Sequence, residues 1–358
     1  PRTPTAIPET LTGAFMPKGT PETHADQFAR IRNHLADHDP LPKHLAEAGY
    51  TTIGFVGNPW LTRRSGVGEW FDEFHDLGVV DQESRFRRMA LSTFGGSTIG
   101  DVALWIDRWR HRRGFFSQWE TYVDELFATL RDTEPPYYVW VFLMEPHNPY
   151  IAPPGDRVEN STLDMYYGLL RGNEIFHPTE SDSSLKHELT PHVKRRVKRA
   201  YRDTIRSVDR FVGRLQTVLD DDHLLVFHSD HGEAFDEHGT YGHRHRLYEE
   251  NIHVPFFIRD ATTDDGTVVE EPVSLRDLPA LVLDRVTADA SISTSGREDE
   301  YVVARTESAE QIALRTKQYK YIYDRDSGEL VFDLAADPGE RTDRSEMDTD
   351  RCQRWQSI

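Results

Sequence analysis

The sequence predicts an α/β fold, a mainly parallel sheet sandwiched by helices, with a small antiparallel-sheet subdomain at the C-terminal end. Three observations predict it. Helical stripes alternate with short apolar runs, those runs end in polar residues, and from about residue 300 four short β-rich runs follow one another.

Leu41 to Ala48 reads as a short helix stopped by Gly49 in the helix C-terminal position. Thr51 to Val56 follows as a strand ending at Gly57-Asn58-Pro59. Trp119 to Leu130 places apolar residues at 119, 122, 123, 126, 127 and 130, one stripe of a helix. After Pro135-Pro136, Tyr137 to Met144 is a continuous apolar run, expected as a strand buried on both faces. Residues 152 to 190 are rich in Pro, Gly and Ser and read as a long excursion over the sheet edge that shapes the substrate pocket. From 201 to 219, Tyr201, Ile205, Val208, Phe211, Val212, Leu215, Val218 and Leu219 share a helical face. Asp220 to Asp222 end that helix, and Leu224 to His228 form the next buried strand. Tyr301–Arg305, Ile312–Arg315, Tyr319–Tyr323 and Leu330–Leu334 read as the C-terminal strands. Asp324-Arg325-Asp326-Ser327-Gly328 serves as a hairpin loop between the last two. The expected division is a catalytic α/β domain over 1–295, the antiparallel subdomain over 296–340 and a polar tail over 341–358.

Composition narrows the function. The 358 residues hold 61 Asp and Glu against 42 Lys and Arg, a formal charge of −19. Such a surface argues against a nucleic-acid partner. With 18 Phe, 14 Tyr and 7 Trp the chain is too aromatic to be disordered. Only 7 of the cations are Lys and 35 are Arg. An acidic, Lys-poor surface fits a halophilic, archaeal-like habitat, where concentrated salt screens self-repulsion to within about 3 Å at 1 M. The bland reading is an acidic mesophilic protein. The run from Tyr137 to Met144 is far short of the ~20 residues a membrane helix needs. Cys352 is the only cysteine, which excludes a disulfide framework and a cysteine-based zinc cluster. A cytoplasmic location is expected. The chain opens at Pro1, directly in a structured motif, so upstream sequence is expected to be missing.

The densest chemistry lies in His228-Ser229-Asp230-His231-Gly232-Glu233, followed by Gly242-His243. Asp230 and His231 fall where a strand runs out, the edge at which open α/β sheets bind ligands. A carboxylate beside an imidazole offers an O,N pair to one divalent cation, and His243 follows thirteen residues after Asp230 across a Gly-rich loop. An ordinary surface Asp-His pair would read the same way. Tyr137–Met144 empties into Glu145-Pro146-His147-Asn148-Pro149-Tyr150, where His147 is either a site residue aimed by its prolines or a histidine satisfied in a turn. Thr3 to Gly13 is the third element. Glu9 to Leu11 reads as a short helix with Pro8 in its first turn and Thr5 as cap. A hydroxyl at such a helix start meets the positive dipole end and unpaired N–H groups; an ordinary capping Thr is the alternative.

Together these segments resemble the sulfatase family, a branch of the alkaline phosphatase superfamily. Ser229-Asp230-His231-Gly232-Glu233 matches its metal motif, and Leu247-Tyr248-Glu249-Glu250-Asn251-Ile252-His253-Val254-Pro255 its lead-in to a strand. Glu145 to Tyr150 is similar to its His-x-Pro-Tyr segment, and Leu45 to Gly57 to its leucine…Ala-Gly-Tyr-x-Thr unit. Thr3 to Gly13 is similar to its nucleophile helix, which ends Leu-Thr-Gly. Tyr319-Lys320-Tyr321-Ile322 and Leu330 to Leu334, with Asp337-Pro338-Gly339-Glu340, are similar to its C-terminal sheet signature. The likeness runs in order over nearly the whole chain.

The resemblance implies Thr3 as nucleophile and metal contact, with Asp230 and His231 as metal ligands. It implies His147 and His243 either at a second metal or on the oxyanion of the ester, where His245, Arg246 or Arg244 would add positive charge. The implied cofactor is a divalent ion, Zn²⁺ or Mn²⁺ for an Asp/His donor set, with Ca²⁺ or Mg²⁺ as alternatives. Two departures stand out. Sulfatases carry Cys or Ser, converted to formylglycine, within Cys/Ser-x-Pro-x-Arg, whereas this chain has Thr3 and Ile7. Thr cannot become that aldehyde, and with His243 this looks more like phosphoethanolamine transferases and phosphodiesterases. The family also places a carboxylate-bearing strand before the nucleophile, and only Pro1 and Arg2 precede Thr3. The expected function is therefore metal-dependent cleavage of a phosphate ester through Thr3, on a small-molecule, glycan-linked or lipid-linked anionic substrate. The alternatives are a sulfuric ester hydrolase and a non-catalytic remnant that binds a glycan or a partner. Oligomeric state is not legible.

Overall fold

A computed structural model describes residues 2–77, 117–168, 189–220, 222–243, 246–260, 266–286, 301–347 and 355. In chain order the helices are α1 (Thr3–Thr12), α2 (His24–Asp37), α3 (Leu41–Glu47), α4 (Val123–Asp132), α5 (Pro191–Gln216), α6 (Glu249–Ile252) and α7 (Leu278–Val286). The strands are β1 (Thr51–Val56), β2 (Glu73–Asp76), β3 (Tyr137–Phe142), β4 (Leu225–His228), β5 (Ala234–Phe235), β6 (Tyr241–Gly242) and β7 (Phe256–Arg259). Four more close the chain: β8 (Tyr301–Arg305), β9 (Gln311–Thr316), β10 (Tyr319–Asp324) and β11 (Gly328–Asp333). The fold is α/β with a C-terminal antiparallel sheet, as expected. It divides into two compact units, one of Pro1–Thr52, Arg63–Asp72 and Asp221–Ile358, the other of Ile53–Thr62 and Glu73–Asp220. Among the described residues no helix is long and apolar enough to cross a membrane.

In the second unit the strand order is β2-β1-β3, with β1 and β2 parallel from Ile53↔Glu73 to Val56↔Asp76. Ile53 and Phe55 of β1 share a core with Trp119, Val123, Leu126 and Phe127, and Phe211 of α5 closes it. The helical stripe expected from Trp119 begins as a short 3₁₀ turn, and the α-helix proper starts at Val123. β3 is half-buried along its length, with Val139 and Val141 packed against this core, where a strand enclosed on both faces is expected from the sequence. α5 starts ten residues before the expected position. Thr190 caps it by accepting the Val193 amide, Pro191 fits the first turn, and its Arg-rich first half masked the apolar stripe. Asp203 on this helix accepts the amides of Val158 and Glu159 at 3.1 Å and of Asn160 at 3.2 Å, and Arg210 binds Asp156 at 2.8 Å. The described start of the 152–190 excursion is thus pinned to α5; residues 169–188 lie outside the described residues.

In the first unit α1 packs against α2 and α7. The terminal sheet runs β11-β10-β9-β8, antiparallel throughout, and the Asp324↔Gly328 pair closes the expected hairpin loop. β4 pairs antiparallel with β7, from Leu225↔Arg259 to His228↔Phe256, and is half-buried. A buried strand is expected there; instead Phe227 stacks at 5.0 Å on Phe257, its partner on β7, which is itself exposed. Lys320 of β10 is fully buried, 3.1 Å from Glu249 and 2.8 Å from Glu340. A buried ammonium is tolerable only with such partners, and they fasten α6 to the sheet.

Candidate active site

α1 is longer than its sequence signal. It begins at Thr3, with extended Arg2 before it and Pro4 in its first turn, and Pro8 lies inside it. Pro8 has no N–H to offer the Pro4 carbonyl, which instead accepts Gln27 Nε2 of α2 at 3.3 Å. That substitute partner is why the helix does not start at Pro8. Thr5 is therefore not a cap but a helical residue, its hydroxyl buried without a hydrogen-bond partner. The row of unpaired amides also shrinks, because Arg2 O accepts both Thr5 N and Ala6 N and Pro4 has no N–H. Thr3 is buried at the positive end of this helix. At the far end His34 of α2 donates to Thr12 Oγ1 at 2.9 Å, while Thr12 donates to Pro8 O.

β4 hands the chain to Ser229, whose amide donates to Pro255 O and whose hydroxyl donates to His231 O at 2.8 Å. Asp230 Oδ1 accepts the His231 amide at 3.1 Å, and its Oδ2 is buried without a hydrogen-bond partner. His231 donates from Nδ1 to Gly232 O at 2.9 Å, which leaves Nε2 as the lone-pair nitrogen. Burial holds this imidazole toward its neutral form, against the pull of Asp230. Nε2 lies 3.5 Å from Thr3 Oγ1 and 3.6 Å from Asp230 Oδ2. Gly232 is required here, because a Cβ would stand 2.2 Å from the Glu250 carbonyl oxygen.

The ring of His243 lies 4.3 Å from that of His231, and its Nδ1 is 3.1 Å from Glu233 Oε1. Thr3, Asp230, His231 and His243, proposed from sequence as one group, thus meet in the first unit. Glu233 joins them, a residue that stands in the motif without a separate role in the sequence reading. The signal lay in the Gly-rich loop, whose two short strands pair Ala234 with Gly242 and so set Glu233 across from His243. Arg246 is held by Asp324 at 3.3 Å, so it is an ion-pair residue of the terminal sheet. Arg244 and His245 lie outside the described residues.

His147 belongs to the second unit. It follows β3, its amide donates to Met144 O at 2.7 Å, and its Nδ1 donates to Asn148 O. Two residues earlier, the carboxylate oxygens of Glu145 are shut away from solvent, and burial raises its carboxyl to about 7.

Among the described residues no group of three or more His, Cys, Asp or Glu side chains is arranged to hold a metal ion. The donor set is smaller and includes a hydroxyl. Ligands at ~2.0–2.2 Å from a tetrahedral ion stand about 3.4 Å apart. The two measured spacings, Thr3 to His231 and His231 to Asp230, match that, and the orphaned Asp230 oxygen calls for a cation. These residues fit part of a divalent-metal shell.

The family model described as Sulfatase matches residues 1–288. The chain is 28% identical to the endo-4-O-sulfatase of Bacteroides thetaiotaomicron over 142 residues, covering 37% of this chain and 25% of that protein. It is 30% identical to the choline-sulfatase of Rhizobium meliloti over 180 residues, covering 44% and 35%. The chain spans about a quarter to a third of the length of the curated relatives it matches. In fold it is similar to the phosphonate monoester hydrolase of Agrobacterium radiobacter, with a TM-score of 0.62 and 18% identity over 99% of this chain and 84% of that one.

Proposed function

The chain belongs to the sulfatase family, and from that membership we propose that it hydrolyses an anionic sulfuric ester with Thr3 as the attacking oxygen. The observation that carries this reading is the meeting of Thr3 Oγ1, His231 Nε2 and Asp230 Oδ2 at the start of α1. The names of the two curated relatives support sulfate as the transferred group. Thr3, Asp230 and His231 would hold the divalent ion, Zn²⁺ or Mn²⁺ by donor type. When bound, such an ion polarises the ester oxygen and lowers the pKa of a coordinated hydroxyl.

The residues divide the rest of the work. Thr3 Oγ1 forms a bond to sulfur as the bond to the ester oxygen breaks, leaving a sulfated Thr3 and an alcohol. His243 takes the proton that Thr3 loses on its lone-pair nitrogen and passes it to the departing alcohol oxygen, a role worth about 10²–10⁴-fold. Water then attacks the sulfated residue, releasing sulfate and restoring the hydroxyl. His147 and Arg244 keep the charge-stabilising roles that the resemblance implies, as proposals to be checked with H147Q and R244Q.

A second reading has its own observation. Thr3 is a secondary alcohol, so its sulfate ester has no aldehyde carbon to expel the group and must be hydrolysed directly. A phosphorylated Thr3 is released by in-line attack of water without that handicap, which favours a phosphate ester. The deciding experiment is a panel of one aryl sulfate and one aryl phosphodiester, run on wild type and Thr3→Ala. Faster turnover of the sulfate supports the first reading and faster turnover of the diester the second. Activity that survives in T3A contradicts both. A protein that turns over neither ester and binds no stoichiometric divalent ion is a non-catalytic remnant.

A further inference from the structure

Glu233 occupies a place that the proposed chemistry leaves unexplained. The short ladder pairs Ala234 with Gly242 and Phe235 with Tyr241, so one further step sets Glu233 opposite His243. The two differ in exposure. The Glu233 side chain is 8% exposed and that of His243 is 29% exposed, so the carboxylate sits on the inner side of the imidazole. Its Oε1 stands 3.1 Å from His243 Nδ1.

Both ends of this pair are anchored to the same support. The Gly232 amide, beside Glu233, donates to Asn251 O at 2.9 Å. The Asn251 side-chain amide donates to Gly242 O, beside His243, at 3.1 Å, and Asn251 is buried. The backbone therefore fixes where the two side chains start, and the hydrogen bond fixes how the ring is turned. A neutral imidazole carries one N–H, and a carboxylate at Nδ1 selects the tautomer with its proton there, making Nε2 the lone-pair nitrogen.

We propose that Glu233 is a positioning residue that sets the ring orientation and tautomer of His243, so that Nε2 is the nitrogen acting on the ester. This deepens the proposed function and rests on it for the part concerning turnover. Glu233 touches the histidine and not the reacting atoms. For metal-bound histidines, loss of the carboxylate on the far nitrogen typically costs 10- to 100-fold, and an effect of about that size is expected here.

Two readouts on the full chain keep the positioning role apart from the function. The first is ¹⁵N NMR of protein labelled in histidine, with the His243 signals assigned by their loss in His243→Gln. Wild type and Glu233→Gln, whose amide oxygen still accepts a hydrogen bond, are expected to show the proton on Nδ1. Glu233→Ala is expected to shift His243 toward the other tautomer. The second readout is steady-state turnover of the better ester from the panel. E233A should lower kcat about 10- to 100-fold with KM little changed, and E233Q should recover most of the loss. A His243 tautomer unchanged in E233A, or an E233Q as impaired as E233A, overturns the proposal. Turnover unaffected by H243Q would instead strike at the proposed role of His243, and the NMR comparison would still decide whether Glu233 sets its tautomer.

Discussion

At the scale of single residues, the site depends on positions where only one chemistry fits. Thr3 must bring a hydroxyl to the start of α1, and Asp230 must leave one oxygen without a protein partner. Gly232 must bring no side chain at all. Its missing Cβ would stand 2.2 Å from the Glu250 carbonyl oxygen and 3.0 Å from its carbon, so Gly232→Ala forces backbone apart beside His231. Overpacking of this kind costs about 1–3 kcal/mol. The matched control is Gly155→Ala, where nothing lies within 4 Å of the added carbon. Denaturant midpoints should fall for G232A and stay near wild type for G155A. Equal midpoints would show that the approach to α6 is not close.

At the scale of elements, α1 is held at both ends by α2, by Gln27 at the Pro4 carbonyl and by His34 at Thr12. Burial, with His38 close by, lowers the pKa of His34 from 6.5 to about 4. The unfolded chain takes up a proton at this histidine below about pH 6.5, while the folded protein resists until about pH 4. The contribution is therefore complete above pH 6.5 and declines as pH falls, by up to ~3 kcal/mol. Chemical denaturation at pH 7.5 and 4.5 should show a larger acid-side loss for wild type than for His34→Gln. A loss of equal size in both would remove His34 from the account. Much of this level was legible in the sequence. β1 and β8 fall on the expected residues, because each is a short β-rich run with clear ends. α1 and α5 both begin before the point at which their residue pattern alone becomes helical. A proline partner on another helix lengthened the first, and a run of arginines hid the start of the second.

At the scale of the whole chain, each unit supplies its own frame. In the second, α4 and α5 pack on the β2-β1-β3 sheet. In the first, a path of contacts joins the terminal sheet to the site. Lys320 holds Glu249 and Glu340, Glu249 opens α6, and Asn251 of α6 grips Gly232 and Gly242. The motif residues at both ends of that path stand out in the sequence, at 229–233 and at 319–340. The path itself does not, because it runs through backbone groups and one buried amine whose partners are distant in sequence. The chain's formal charge of −19 opposes the anionic ester proposed as its substrate, and at the site itself the positive end of the α1 dipole acts in the other direction.

In the proposed reaction the Thr3 oxygen takes up the transferred group. This is tested most directly by quenching the protein in mid-turnover with acid and weighing the peptide that carries Thr3. A sulfo or phospho adduct on Thr3 is expected, absent without substrate and absent in Thr3→Ala. Steady turnover with an unmodified Thr3, or an adduct on another residue, would contradict it.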